Sequence, residues 1–267
     1  MAETDFESLL SDDPSPGEGA LIGIQGDAGT GKSTLAANAD DPVLYLVLDP
    51  NSRALGQNLP TNHRISWAHV YPPAGNDVAL ADRTAWLERV NKIWNGFLSG
   101  VPSKFGPPYK SFVWDTATRL WDGVYPTKVG EKLAGKTREP GPLDYATSND
   151  WMRQISLSRA SLRPDAFVLV LLHEQTLYVP DPDKPDSTFR VAHATKKVFD
   201  GWKETARDLN FFVRLIRKEE KVTVTEAGIR KVQTQLKRYG VILKHPNEKL
   251  LGMEIPEPTW QEIKEWL

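Results

Sequence analysis

Cysteine is absent from the 267-residue chain, so neither a disulfide nor a thiolate metal site can form. That absence fits a reducing cytoplasm, where the protein is expected to work. No apolar run approaches the roughly 20 residues that a membrane helix requires. The opening residues Met1 to Glu7 are acidic where a signal peptide is basic, so secretion is not expected and neither is a membrane partner. A net charge of −2 leaves no general basic excess of the kind that coats nucleic acid.

What is present reads as a globular chain. Hydrophobic residues are 40% and charged residues 25%, enough apolar area for one large α/β domain with or without a small appendage. Charge is unevenly spread. Residues 1–60 carry ten acids against Lys32 and Arg53, a balance of −8, whereas residues 187–250 carry fifteen Lys and Arg against seven acids, a balance of +8. The C-terminal third therefore presents either a basic surface or solvated strand faces with neighbouring acids.

Residues 1–19, polar and rich in Asp, Pro and Gly, read as a mobile leader. Apolar runs Ala20–Gln25, Val43–Leu48, Ile65–Val70, Ser111–Asp115 and Ala166–Leu172 suit buried strands. Helical patterns lie between them, at 32–39, 82–98, near 117–133 and at about 146–162. Alternating strands and helices predict an α/β fold with a mainly parallel central sheet. From 209 the pattern changes to consecutive strands (211–217, 222–225 and 231–243) expected to pair antiparallel. Thr259 and Glu262 have capping-box spacing, so a closing helix is expected over 260–267. The expected organisation is a leader 1–19, a core 20–208 and C-terminal strands and helix 209–267 packed on the core.

Residues Gly26-Asp27-Ala28-Gly29-Thr30-Gly31-Lys32-Ser33, followed by Thr34, carry the strongest chemical signal. They form a P-loop (Walker A motif), whose glycines let successive N–H groups face phosphate oxygens. Lys32 is a point charge in a solvent-facing cradle and reaches the β and γ phosphates, Ser33 offers a hydroxyl to Mg²⁺, and the following helix aims its positive end at the same place. ATP and Mg²⁺ are the expected cofactors. Asp115 ends an apolar strand, where an acid can hold Mg²⁺ directly or through water, or can cap the next helix. Asp49 ends another strand and is either the base that orients water or part of an Asp-Pro-Asn turn. His173, leaving a third strand, is either a contact to the γ-phosphate or a structural histidine.

With these pieces placed, the chain resembles the RecA-like ATPase superfamily, and within it the compact phage-encoded ATPases of single-strand annealing and recombination. The likeness rests on residues 22–34, 43–49, Phe112-Val113-Trp114-Asp115-Thr116, Asp144-Tyr145 ahead of a helix, and 168–173. In these families the second strand usually ends in a catalytic Glu, where this chain has Asp49. The strand after Asp115 usually leads to a polar sensor, for which His173 or Gln175 is the nearest match. The resemblance implies a RecA-like core, DNA-stimulated ATP hydrolysis between subunits of a ring or filament, single-stranded DNA as partner, and a single-strand binding protein as companion. It also implies a DNA-contacting loop at 174–197, offering Lys184, Arg190, Lys196 and Lys197 to phosphates and Tyr178 and Phe189 to bases. The same stretch also reads as a proline-rich, partly acidic surface loop. A cation acting on the neighbouring subunit's phosphate would be Arg190, Lys196, Lys197, Arg214 or Arg217. A P-loop phosphotransferase and a nucleotide-dependent switch or motor adaptor with little turnover are the competing readings.

Overall fold

The computed structural model describes residues 19–52, 63–75, 77–157, 161–180, 190–226 and 229–267. Residues 1–18 of the expected leader, together with Lys184 and Phe189, lie outside them. Nine strands form one sheet in the order β3-β2-β4-β5-β1-β7-β8-β9, with β6 paired to β5. The strands are β1 (Ala20–Gly26), β2 (Val43–Val47), β3 (Ile65–His69), β4 (Ser111–Asp115), β5 (Phe167–Pro180), β6 (Arg190–Asp200), β7 (Phe211–Glu226), β8 (Ile229–Lys244) and β9 (Glu254–Pro256). The ladders from β3 through to β7 are parallel, and β7-β8-β9 and β5-β6 are antiparallel. The fold is thus α/β with a mostly parallel central sheet and antiparallel C-terminal strands.

The central strands are apolar on both faces because each face has its own core. Leu21, Phe112, Trp114, Val168, Val170 and Leu172 point into one. Their chain neighbours Ile22, Val113, Leu169 and Leu171 point into the other, as the period of two requires. Helix α2 (Leu80–Leu98) seals the first core with Trp86, Leu87, Val90, Trp94 and Phe97, spaced at helical intervals. Trp94, Phe97, Phe112 and Trp114 pack with ring centroids 4.8–5.8 Å apart. Helices α3 (Ala117–Leu133) and α4 (Ala146–Leu157) lie on the same side. On the other face sit the short α1 (Lys32–Ala37) and the closing α6 (Trp260–Glu265). The capping box of α6 forms as the spacing predicts: the Glu262 amide donates to Thr259 Oγ1, and the Thr259 amide to Glu262 Oε2 at 2.8 Å. Trp260 Nε1 and Lys264 Nζ reach Asp40 at 2.7 and 2.5 Å and fasten α6 beside α1. A four-residue helix, α5 (Thr205–Asp208), leads into β7.

Two expectations are corrected. The described parts of 174–197 are strand, not loop: β5 runs on through 174–180, and β6 returns beside it from Arg190 with Thr176 opposite Lys197, while 181–189 lie outside the described residues. Likewise, 211–217 and 222–225 belong to one strand, β7, which pairs parallel with β1 before continuing along β8. In both cases polar residues read as a break. A strand solvated on its faces accepts them, since its backbone groups are satisfied by the partner strand. Among the described residues no helix is long and apolar enough to cross a membrane.

Candidate functional site

Strand register gathers the site. Gly26 pairs with His173, and Val47 pairs with Asp115. The C-terminal ends of β1, β2 and β4 and the middle of β5 at His173 therefore meet at one sheet edge, where ligands collect in open α/β sheets. Between them lies an open cleft of about 330 Å³, lined by Ala28, Gly29 and residues 31–34 with Asp49, Asn51, Ser52, Asp115, Thr116 and His173. The structure thus brings Lys32, Ser33, Thr34, Asp49, Asp115 and His173, expected from the sequence, around one space.

The loop itself turns through Gly29 and Gly31, whose φ angles of 77° and 90° are costly for residues bearing a Cβ. Gly31 also begins α1. Lys32 is itself buried. Its Nζ donates to the carbonyls of Gly26 at 2.7 Å and Asp27 at 2.9 Å. Burial lowers the Lys32 pKa, against the pull of Asp115, Glu174, Asp27 and Asp49. These two carbonyls hold the ammonium in place.

Asp115 is 1% exposed. Its Oδ2 accepts from Tyr45 Oη at 2.7 Å, and the hydroxyls of Ser52 and Ser33 also bond to it. Burial raises its carboxyl pKa despite these donors. The cap of α3 is the next residue: Thr116 Oγ1 accepts from the Arg119 amide at 3.3 Å. Asp115 is left to face the P-loop serine. Hydroxyl and carboxylate oxygens are the hard donors Mg²⁺ prefers. Among the described residues no group of three His, Asp or Glu is placed to hold a metal. Ser33 and Asp115 would therefore share the ion with phosphate oxygens and water, the usual arrangement for Mg²⁺.

Asp49 makes the turn and also faces the cleft. Its Oδ1 accepts from the Asn51 amide at 2.9 Å, and its Oδ2 lies 3.3 Å from His173 Nε2. Burial opposes ionisation, but the Asn51 amide and His173 outweigh it and hold the carboxyl below its ordinary range. His173 is held in turn by its own amide, which donates to Thr118 Oγ1. Gln25 and Arg214 enclose the neighbouring Glu174, which accepts from Arg214 Nε and Nη2 at 2.6 and 2.9 Å and from Gln25 Nε2 at 3.1 Å. Gln175 lies on β5 opposite Val198.

The other cations expected from the sequence scatter. Lys197 pairs with Asp27 of its own P-loop, and Arg214 with Glu174. The Arg217 guanidinium lies against Gly29. Arg190 and Lys196 fall on β6, and Tyr178 is exposed on β5.

A second cavity of about 610 Å³ adjoins the cleft at Thr34, which lines both. His63, Arg238, Pro258 and Gln261 are on its wall. Three buried side-chain polar atoms of the described residues lack a hydrogen bond, and two of them, His63 Nδ1 and Arg238 Nε, belong to this wall. Sequence reading missed Tyr45, Ser52, Glu174 and Arg238. Tyr45 alone left a signal, as the one polar tip in the run Val43–Leu48.

A search of protein-family models found no match to the chain, and neither did a search of curated proteins.

Proposed function

We propose that the chain is a RecA-like P-loop ATPase that works as a homo-oligomer on single-stranded DNA in phage-type recombination or replication. One observation carries the nucleotide part of this reading: Lys32, Ser33 and Asp115 converge on one cleft, with Asp49 and His173 beside them. The strand order supports the RecA-like part, because β5 lies between the P-loop strand β1 and the acidic strand β4. That insertion carries His173 to the place where a residue can meet the γ-phosphate.

In this reading the triphosphate lies along residues 28–34, and the nucleoside enters the adjoining cavity past Thr34. Lys32 exchanges its two carbonyls for β and γ oxygens, a stronger charge-assisted bond. Ser33 and Asp115 would hold Mg²⁺, whose contribution when bound would be to offset phosphate charge. Asp49 Oδ2 orients the attacking water, and His173 Nε2 sits 3.3 Å from that oxygen. A nucleotide switch with little turnover is the second reading. It is favoured by the tether of Asp49 Oδ1 to Asn51, which restricts a side chain already one methylene shorter than glutamate.

Phosphate release from MgATP, measured with and without single-stranded DNA, tests the reading. Stimulation by DNA is expected. Tight binding without turnover would establish the switch, and transfer to a small acceptor would establish a phosphotransferase.

A further inference from the structure

Strands β7 and β8 outrun the sheet that carries them. Pairing of β7 with β1 stops at Leu215, and pairing of β8 with β9 at Tyr239. Beyond those points the two strands continue as a ribbon paired only with each other, to Glu226 and Ile229. The segment 217–238 holds seven Lys and Arg against three Glu and contains no aromatic residue.

Register makes this charge unusual. Arg217 stands directly opposite Arg238, and Lys218 directly opposite Lys237. Like charges facing one another across a ladder destabilise it. Lys218 and Lys237 are offset by Glu254 and Glu220 at 2.5 and 2.8 Å. On the opposite face Arg238 pairs with Glu257 Oε2 at 3.5 Å, which leaves the β7 cations of that face without an acid of their own. Arg217 and Lys221, four residues and roughly 13 Å apart along the strand, are exposed and have no ion pair among the described residues. Glu219 is the acid between them on that face, and Val232 and Leu236 project beside it, 67% and 57% exposed. The base of the same face touches the nucleotide loop. A Cβ on Gly29 would stand 3.6 Å from Arg217 Nη1, and one on Gly31 2.8 Å from Arg238 Nη1.

We infer that this face of the β7–β8 ribbon is where single-stranded nucleic acid binds, a proposal that rests on the DNA reading above and places its site. The occupant follows from charge and chemistry. A polyanion supplies the counter-charge that Arg217 and Lys221 lack, and repeated phosphates suit cations spaced along one strand face. Without an aromatic to stack on, the contact is to the backbone, so binding is steeply salt-dependent and nearly indifferent to base. Phosphates held at the base of the ribbon lie next to the P-loop, which links DNA occupancy to ATP hydrolysis.

The test is fluorescence anisotropy of a labelled oligo-dT across a salt series, comparing the wild type, Arg217→Ala/Lys221→Ala and Arg217→Lys/Lys221→Arg. The alanine pair should lose tenfold or more in affinity at low salt, and its log–log salt slope should fall by about 1.4, at about 0.7 per phosphate contact. The charge-conserving pair should retain both. Unchanged affinity and slope in the alanine pair, with the wild type binding, overturn the ribbon site alone. A change in self-association with DNA binding intact shows the face to be an interface between copies and overturns it too. No binding by the wild type defeats the DNA reading itself.

Discussion

Asp115 sits 1% exposed among hydroxyl donors, and burial raises its pKa above the ordinary carboxylate value. A group with a raised folded-state pKa contributes stability that is complete below the unfolded pKa and is lost as pH rises through the folded value. At pH 7, in the absence of nucleotide, the ionised carboxylate therefore works against folding. Asp115→Asn keeps the shape, and its carbonyl still accepts from Tyr45 Oη, 2.7 Å away in the wild type. The variant should be at least as stable as wild type at pH 7 without nucleotide, and its advantage should shrink toward pH 4. Magnesium and nucleotide reverse the ranking. At a hundred times Kd, MgATP stabilises the folded protein by about 2.7 kcal/mol. At 2–4 °C per kcal/mol that raises the wild-type Tm by about 5–11 °C. Asp115→Asn should lose most of this increment and about 10²–10³ in turnover, the usual cost of one electrostatic group at a reacting centre. Differential scanning fluorimetry at pH 4, 5 and 7, with and without a non-hydrolysable MgATP analogue, reads both effects. A variant destabilised without nucleotide, yet with the full ligand-induced rise in Tm, would refute the reasoning and make Asp115 a structural residue.

Lys32→Ala should abolish hydrolysis and, because two carbonyls lose a buried donor, also cost about 1–3 kcal/mol without nucleotide; chemical denaturation and phosphate release check the pair of effects. Asp49→Asn should lower turnover with little change in nucleotide Kd, whereas full turnover would reduce Asp49 to its turn with Asn51. Gly123→Ala would put a Cβ 2.3 Å from the buried Trp86 ring. That overpacking should cost about 1–3 kcal/mol in urea while nucleotide affinity of the folded protein stays unchanged.

The P-loop was legible because its chemistry is local: glycines, lysine and serine at fixed spacing give the turn wherever a strand precedes and a helix follows. The apolar runs located the five strands of the central sheet before β7, and the helical spacing of Trp86, Leu87, Val90, Trp94 and Phe97 located α2. Strand ends were less visible where solvent touches the sheet. Residues 174–180 and 218–221 look like breaks because they are polar. Their backbone is satisfied by β6 and β8, partners that stand close only after the chain has folded back.

Sequence by itself therefore determined the glycine-rich turn at 26–33, the alternating α/β order and the acids at the ends of β2 and β4, all consequences of short-range pattern. Tertiary structure alone decided that β5 stands between β1 and β4 and that Lys32 is buried against its own loop. It likewise decided that Glu174 is neutralised by Arg214, and that Arg217 faces Arg238 across a ribbon. Apart from the Lys32 contacts, which are local to the loop, each of these depends on register between segments tens to more than a hundred residues apart, which hydrophobic period cannot encode.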